Sequence, residues 1–295
     1  MNIQWYPGHM AKAKRGMQEA IKLVDLIIEL VDARAPLASR NPDIDELGGG
    51  KARLILLNKS DLAEEKWNKA WTGWFSEKGF FVVEVNSRNG AGLKQIHSVV
   101  GQACREKIER DRRRGIMNRP VRGMVVGIPN VGKSTFINSI AGKACAKTGN
   151  KPGVTKGNQW IRLNRSLELL DTPGILWPKF EDPWVGLMLA MLGCINDQIL
   201  NRDELALEIL KFLEKRYPDV LSGRYGTGQG EGPAAMLEGV AKARACRMKG
   251  GEADLSKAAG IIIDDFRNGK LGKVTLELPG GNGFSSKEAP GEKNQ

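Results

Sequence analysis

Residues 127–134, read G-I-P-N-V-G-K-S, constrain this chain more than any other stretch. They fit the spacing Gly, four residues, Gly-Lys-Ser. The apolar run Met124-Val125-Val126 precedes them and a helix-like run over 135–141 follows. That strand, loop and helix context is what a phosphate-binding loop needs. Gly127 and Gly132 let the backbone curl so that successive N–H groups point inward at phosphate oxygens. The positive end of the following helix adds to that field. Asn130, Val131, Gly132, Lys133, Ser134 and Thr135 are the expected phosphate-side residues. Lys133 would reach the outer phosphates, and the Ser134 hydroxyl would hold a magnesium ion. The loop serves ATP and GTP alike, so it names the phosphates and not the base.

The base is named elsewhere. An apolar strand over 53–57 runs into Asn58-Lys59-Ser60-Asp61. A carboxylate at Asp61 can accept two N–H groups from the Watson–Crick edge of guanine, where adenine offers an acceptor and lacks the amino group. Asn58 would hold the N7/O6 side of the base or brace the phosphate loop, and the Lys59 stem would lie over the base plane. Asn86-Ser87-Arg88 closes the next strand, 80–85, and can offer backbone N–H groups to the guanine oxygen. Asp171-Thr172-Pro173-Gly174 ends a further strand. Asp171 would hold magnesium through a water, and the Gly174 N–H would touch the γ-phosphate. Thr155, in Gly153-Val154-Thr155, is the expected switch threonine, its hydroxyl reaching the metal when the third phosphate is present. Each short motif alone is common. Together, at the carboxyl ends of strands where ligands of such sheets sit, they are specific.

Their order is unusual. Ordinary GTPases run phosphate loop, switch threonine, Asp-x-x-Gly, then Asn-Lys-x-Asp. Here 58–61 and 86–88 come before 127–134. The same sheet forms if the chain is circularly permuted, with 93–122 bridging the old ends. The second switch then runs directly into the C-terminal part of the chain, so loss of the γ-phosphate contact would reorient that part.

From Val185 on, the chain reads as helical. Segments 185–192, 204–217, 234–248 and 254–268 are the expected helices, with Asp203 and Asp254 placed like caps. The shift from strand–helix alternation to helices alone marks a boundary near 179–183. The expected organisation is therefore an α/β GTPase domain over 1–180, a mostly parallel sheet with helices on both faces. A small all-helical domain over 181–278 and a disordered tail over 279–295 come after it. Helices are also expected over 12–24, 64–78 and, as one long element, 93–112. The tryptophans at 67, 71 and 74 fall at helical spacing and read as core.

The formal charge of +11 predicts a polyanionic partner, most economically nucleic acid. Lys242, Arg244, Arg247 and Lys249 cluster within the helical part and read as a phosphate-contacting face. The charge run 110–114 is either a solvated helix end or an RNA-facing patch. The four cysteines form no C-x-x-C pair and read as free thiols, and two histidines leave little for a Cys/His metal site. The N-terminus has no signal-type apolar core, and no apolar run nears the ~20 residues of a membrane helix. A cytoplasmic protein with no membrane partner is expected.

The set Trp5-Tyr6-Pro7-Gly8-His9-Met10, Asp32-Ala33-Arg34, 58–61, 127–134, Gly153-Val154-Thr155 and 171–174 resembles the YlqF/RbgA family of circularly permuted GTPases. The closing run Asp265-Phe266-Arg267-Asn268-Gly269-Lys270-Leu271-Gly272 adds to the likeness. The resemblance implies a factor that assembles the large ribosomal subunit, binding its precursor and ribosomal RNA with GTP and leaving after slow hydrolysis to GDP. It implies an RNA-binding helical domain, and the expected state off the ribosome is a monomer. Ile175 stands where many GTPases place a water-orienting Gln. His9 is the candidate to supply that positioning, and the resemblance points the same way. Its alternative is a part in folding the Pro7-Gly8 turn. Asn130 matches a pattern linked in related GTPases to a potassium ion that replaces an arginine finger. His97 lies away from every motif and reads as structural. The competing functions are a GTPase of another RNA process, such as transfer RNA modification, and an RNA-binding factor using GTP only as a conformational ligand.

Overall fold

Strand β1, Leu26–Asp32, is buried along its whole length. A strand covered on both faces must be apolar nearly throughout, and L-I-I-E-L-V-D is. In the computed structural model, which describes residue 3 and residues 8–117, 119–146, 158–226 and 232–280 apart from the side chain of His9, this strand sits in the middle of the sheet. Its one internal charge, Glu29, is buried against Arg40 at 3.0 Å and Arg53 at 3.1 Å.

The described residues fall into two units. Those between 8 and 181, with 275–280, form the first, and 182–274, with Ile3, form the second. In the first, α1 (Gly8–Ala20) leads through a single 3-10 turn to β1. Then come α2 (Asp43–Leu47), β2 (Ala52–Asn58), α3 (Glu65–Glu77), β3 (Phe81–Val85), α4 (Leu93–Ala103) and α5 (Arg105–Arg113). Strand β4 (Val121–Val126), α6 (Lys133–Ala141), β5 (Gln159–Arg162) and β6 (Leu167–Asp171) complete it. The six strands lie in the order β3-β2-β1-β4-β6-β5, all parallel except the β5–β6 pair. The strands β2 and β3, whose ends carry 58–61 and 86–88, thus lie on the far side of β1 from β6. That is the sheet a permuted chain requires.

Helix α3 packs Trp71 and Phe75, both fully buried, against Val31, Ile55 and Leu57 of the sheet. Trp71 and Trp74 meet edge to face at 5.4 Å. Trp71 and Trp74 are therefore core packing, whereas Trp67 is half-buried with the Lys66 ammonium over its ring. The expected long helix over 93–112 is instead two, broken at Cys104, whose φ of −103° and ψ of 15° leave the helical region. The break lets Lys107 reach Asp25 at 3.3 Å, just before β1, while Cys104 is buried. Burial pushes the Cys104 thiol up to about 11. All four cysteines are free. His97 is exposed on α4.

The second unit holds α7 (Pro183–Met191), α8 (Arg202–Arg216), α9 (Pro218–Tyr225), α10 (Gly232–Ala243) and α11 (Leu255–Arg267). Asp254 caps α11 as expected, its carboxylate accepting from the Lys257 N–H. Asp203 does not cap α8. Asn201 does, its Oδ1 accepting from the N–H groups of Asp203 and Glu204 at 3.1 and 3.3 Å. Asp203 instead accepts from the Ser256 hydroxyl at 3.0 Å. Helix α10 stops at Ala243 and not at 248. Ala245 turns left-handed (φ 49°), and Arg247 bridges to Ala253 across the Gly250-Gly251 turn.

The sequence pattern carries the helical region to 278, but the chain returns to the first unit at Thr275. The N–H groups of Leu276 and Glu277 donate to the Arg34 carbonyl at 2.7 and 3.2 Å. The Trp71 indole donates to the Glu277 carbonyl at 3.1 Å. Periodicity ends with α11, and an extended strap carries no period to read.

Candidate nucleotide site

The phosphate loop joins the end of β4 to α6 and needs two glycines for separate reasons. At Gly127 (φ 150°) a Cβ would stand 2.6 Å from the Leu30 carbonyl oxygen. At Gly132 (φ 101°) it would stand 2.4 Å from the Asn58 amide nitrogen. Asn130 turns left-handed without being glycine (φ 60°), a conformation that costs about 1–3 kcal/mol and collects at functional sites. Lys133 is buried, and its ammonium donates to the carbonyls of Gly127 at 3.0 Å and Ile128 at 2.9 Å. The cation is thereby held against the first residues of the loop. Ser134 and Thr135 follow in the first turn of α6, half-buried, where the positive end of the helix adds to the attraction for anions.

Parallel pairing of β4 and β6 sets Val125 opposite Asp171. The Thr172 hydroxyl locks that register by donating to the Val125 carbonyl at 2.7 Å. Asp171 Oδ1 is buried and has no hydrogen-bond partner among the described residues. Burial raises the Asp171 carboxyl, and the Lys133 charge and the Thr172 N–H pull it back. A buried carboxylate oxygen lacking a partner is what a cation or its bound water satisfies. The open oxygen of Asp171 therefore fits magnesium, and the Ser134 hydroxyl in the first turn of α6 is of the chemistry that would complete its protein ligands. Magnesium keeps several waters and takes substrate phosphates as ligands. It thus needs no cluster of three acidic or His/Cys groups, and among the described residues there is none. Thr155 lies outside the described residues, as does the side chain of His9.

Asn58 is the joint of the site. It is buried, and its amide donates to the Val131 carbonyl at 2.6 Å. Its Oδ1 accepts from the Ser87 N–H at 3.1 Å and the Ser87 hydroxyl at 2.8 Å. Of its two expected duties, the structure shows it bracing the phosphate loop. This also changes the reading of 86–88. The Ser87 N–H is engaged by Asn58, and the Arg88 N–H donates to Asn86 Oδ1 at 2.9 Å. These groups build the loop, and their expected donation to the guanine oxygen is not what the geometry shows. A buried Asn that can satisfy its bonds locally folds an Asx turn first.

Lys59 adopts the left-handed conformation (φ 58°), and its ammonium pairs with Asp32 at 2.8 Å. The Ser60 hydroxyl donates to the Val85 carbonyl at 3.1 Å, tying the 58–61 loop to β3. Asp61 is exposed in the 3-10 turn Ser60–Leu62. Gly174 abuts the phosphate loop, and the next residue, Ile175, is buried, its carbonyl accepting from the Asn41 amide at 3.2 Å. Sequence reasoning assigned no role of their own to Asp32 and Asn41. The signal for Asp32 was a carboxylate at the carboxyl end of a buried, mostly apolar strand. For Asn41, 134 residues from its partner, there was none.

A family model described as a 50S ribosome-binding GTPase matches residues 122–216. The match contains the phosphate loop and Asp171–Gly174 but not 58–61, as a collinear match must when the guanine loop comes first. Ribosome biogenesis GTPase A of Bacillus cereus is 49% identical over 280 residues, 95% of each chain. The protein of that name from Thermotoga maritima is 31% identical over 277 residues, covering 94% of this chain and 95% of the other. A crystal structure described as GNP-bound YlqF from T. maritima aligns with a TM-score of 0.64 at 27% identity, over 92% of this chain and 99% of that one.

Proposed function

The chain belongs to the ribosome biogenesis GTPase A family, and from that premise we propose that it joins a precursor of the large ribosomal subunit with GTP bound and leaves after hydrolysis. It is a GTPase, turning GTP into GDP and phosphate. The observation that carries the reading is Asn58, one side chain bonded to both the phosphate loop and the Ser87 loop. It makes the guanine side and the phosphate side one structure.

In this reading Asp61 takes the two N–H groups of guanine, Lys59 covers the base, and Lys133 with the N–H groups of 130–135 holds the phosphates. Ser134, Thr155 and Asp171 hold magnesium, which neutralises charge on the transferring phosphoryl group when bound. Ile175 is buried and apolar, so it positions no water. That supports His9 as the positioning group, with a potassium ion beside Asn130 as a second source of transition-state charge stabilisation. Lys242, Arg244, Arg247 and Lys249 are all exposed, which supports a face of the helical unit that meets ribosomal RNA phosphates. Among the described residues no helix is long and apolar enough to cross a membrane. We place the protein in the cytoplasm, monomeric when off the ribosome.

The test is GTP turnover at fixed potassium, with and without purified large-subunit particles. Stimulation of about ten-fold or more, modest on the scale of GTPase activation, is the expected outcome, with ATP inert. Equal turnover with and without mature and precursor particles would sink the ribosomal reading and favour another RNA partner.

A further inference from the structure

We propose that Asp32 is a positioning residue for the base: it holds Lys59 in place to cover guanine, and so sets nucleotide affinity without touching the nucleotide. The inference rests on the reading of 58–61 as the guanine loop.

Asp32 ends β1, beside Asn58 in the parallel register with β2. It is fully buried and carries four cationic or N–H contacts from two directions, the backbone N–H of Arg34 to Oδ1 at 3.2 Å among them. Arg34 grips both oxygens, Nε to Oδ1 and Nη2 to Oδ2, each at 2.9 Å. Lys59 donates to Oδ2 at 2.8 Å from the loop that follows the neighbouring strand β2. Burial by itself would raise this carboxyl, but Arg34 and Lys59 outweigh it and hold it far below the usual carboxylate range. Both cations therefore favour its ionised form.

Arg34 is buried too, and its carbonyl takes the N–H groups of Leu276 and Glu277, so the anion is anchored from behind. Lys59 is the movable partner, about a quarter exposed, on a flexible four-carbon stem. A lysine free to sample rotamers would lose that freedom on binding a base. One already tied at its tip presents a stem in place before the ligand arrives. The left-handed backbone of Lys59 points the same way: the surroundings hold this residue in a conformation its own side chain disfavours. Structural neutralisation of Arg34 alone would not require a second cation from the loop after β2.

The sign of the effect separates positioning from plain electrostatics. Removing a negative charge near an anionic nucleotide would by itself tighten binding. Positioning predicts the reverse. With GDP titrated calorimetrically into the full chain, Asp32→Asn should weaken binding about five- to ten-fold, the scale of a cation and its stem over an aromatic face. On a Lys59→Met background the same change should cost less than about two-fold, because the group it positions is gone. Equal losses on both backgrounds, or unchanged or tighter binding, would overturn the proposal.

A thermal melt reports whether Asp32→Asn folds. If loss of the carboxylate beside Arg34 unfolds it, Asp32→Asn is combined with Arg34→Met, which removes both buried charges together, and that pair is compared on the Lys59 and Lys59→Met backgrounds. Arg34→Met alone should keep GDP affinity, since Lys59 retains its partner. Asp61→Asn is the separate arm: it should shift preference from guanosine to xanthosine diphosphate, whose 2-oxo group suits an amide. If that shift fails, the guanine reading itself falls. If it succeeds while the cycle shows no coupling, only the role of Asp32 falls.

Discussion

Gly174 and Lys133 touch: a Cβ on Gly174 would stand 2.8 Å from the Lys133 ammonium and 2.8 Å from the Pro129 nitrogen. The residue after Asp171-Thr172-Pro173 is glycine because the phosphate loop occupies the space. Gly174→Ala must push the loop backbone or the lysine aside. Turnover of GTP should fall by about 10²-fold, the scale for small misplacements at a reacting centre. The melting temperature should move little. Single-turnover hydrolysis beside a thermal melt checks both, and a variant that hydrolyses normally would show that the contact is dispensable.

Asn58→Ala should damage folding and binding together. It removes the donor to Val131 and the acceptor shared by the Ser87 N–H and hydroxyl. Each buried group left unsatisfied costs about 1–3 kcal/mol. Urea unfolding should show a loss in that range or above. GDP affinity should fall as well, because the phosphate loop loses its brace. A loss of stability with unchanged GDP affinity would confine Asn58 to folding.

Glu277 makes stability depend on pH in a sense opposite to most carboxylates. Burial pushes its carboxyl up to about 7 from the ordinary 4.5, against the pull of the Leu37 and Ala38 N–H groups. Between those values the folded chain holds a proton that the unfolded chain has released. The stability contributed by this group is therefore full below 4.5 and declines as pH rises through about 7. Subtracting the urea midpoints of Glu277→Gln from those of the natural chain across pH 4–8 should expose the slope. A flat difference would mean the carboxyl titrates alike in the folded and the unfolded chain.

Trp71 fixes the strap and the core with one side chain. It is fully buried, and its indole donates to the Glu277 carbonyl at 3.1 Å. Trp71→Ala should cost about 3–5 kcal/mol, the range for emptying a buried aromatic site. Trp71→Phe keeps much of the volume and loses the hydrogen bond, so it should cost less. Proteolysis at residues beyond 277 should speed up in both. Equal costs for the two would assign the energy to something other than volume.

Much of this architecture is legible in local pattern. The phosphate loop, the three strand-end motifs and the permuted order are short-range signals whose chemistry leaves few alternatives. The apolar runs around 26–31 and 53–57 give central strands, because only a doubly covered strand needs that composition. Helix ends were less legible. Asn201 outcompetes Asp203 as a cap because its Oδ1 reaches two N–H groups at once. The 93–112 run breaks at Cys104, where two helices pack separately although neither glycine nor proline marks the place.

The sequence by itself determined which chemistry the chain carries: phosphate cradle, guanine loop, switch glycine and permuted order. Those are properties of a few adjacent residues and their spacing. Only the tertiary structure decided what each side chain does there. Asn58 and Ser87 turned toward each other, Asp32 drew in both Arg34 and Lys59, and the strap at Thr275–Glu277 returned to the first unit. The physical reason is the same in each case. A buried polar group must find its partner, and that partner lay 29 residues away for Asn58, 27 for Asp32 and more than 200 for Glu277.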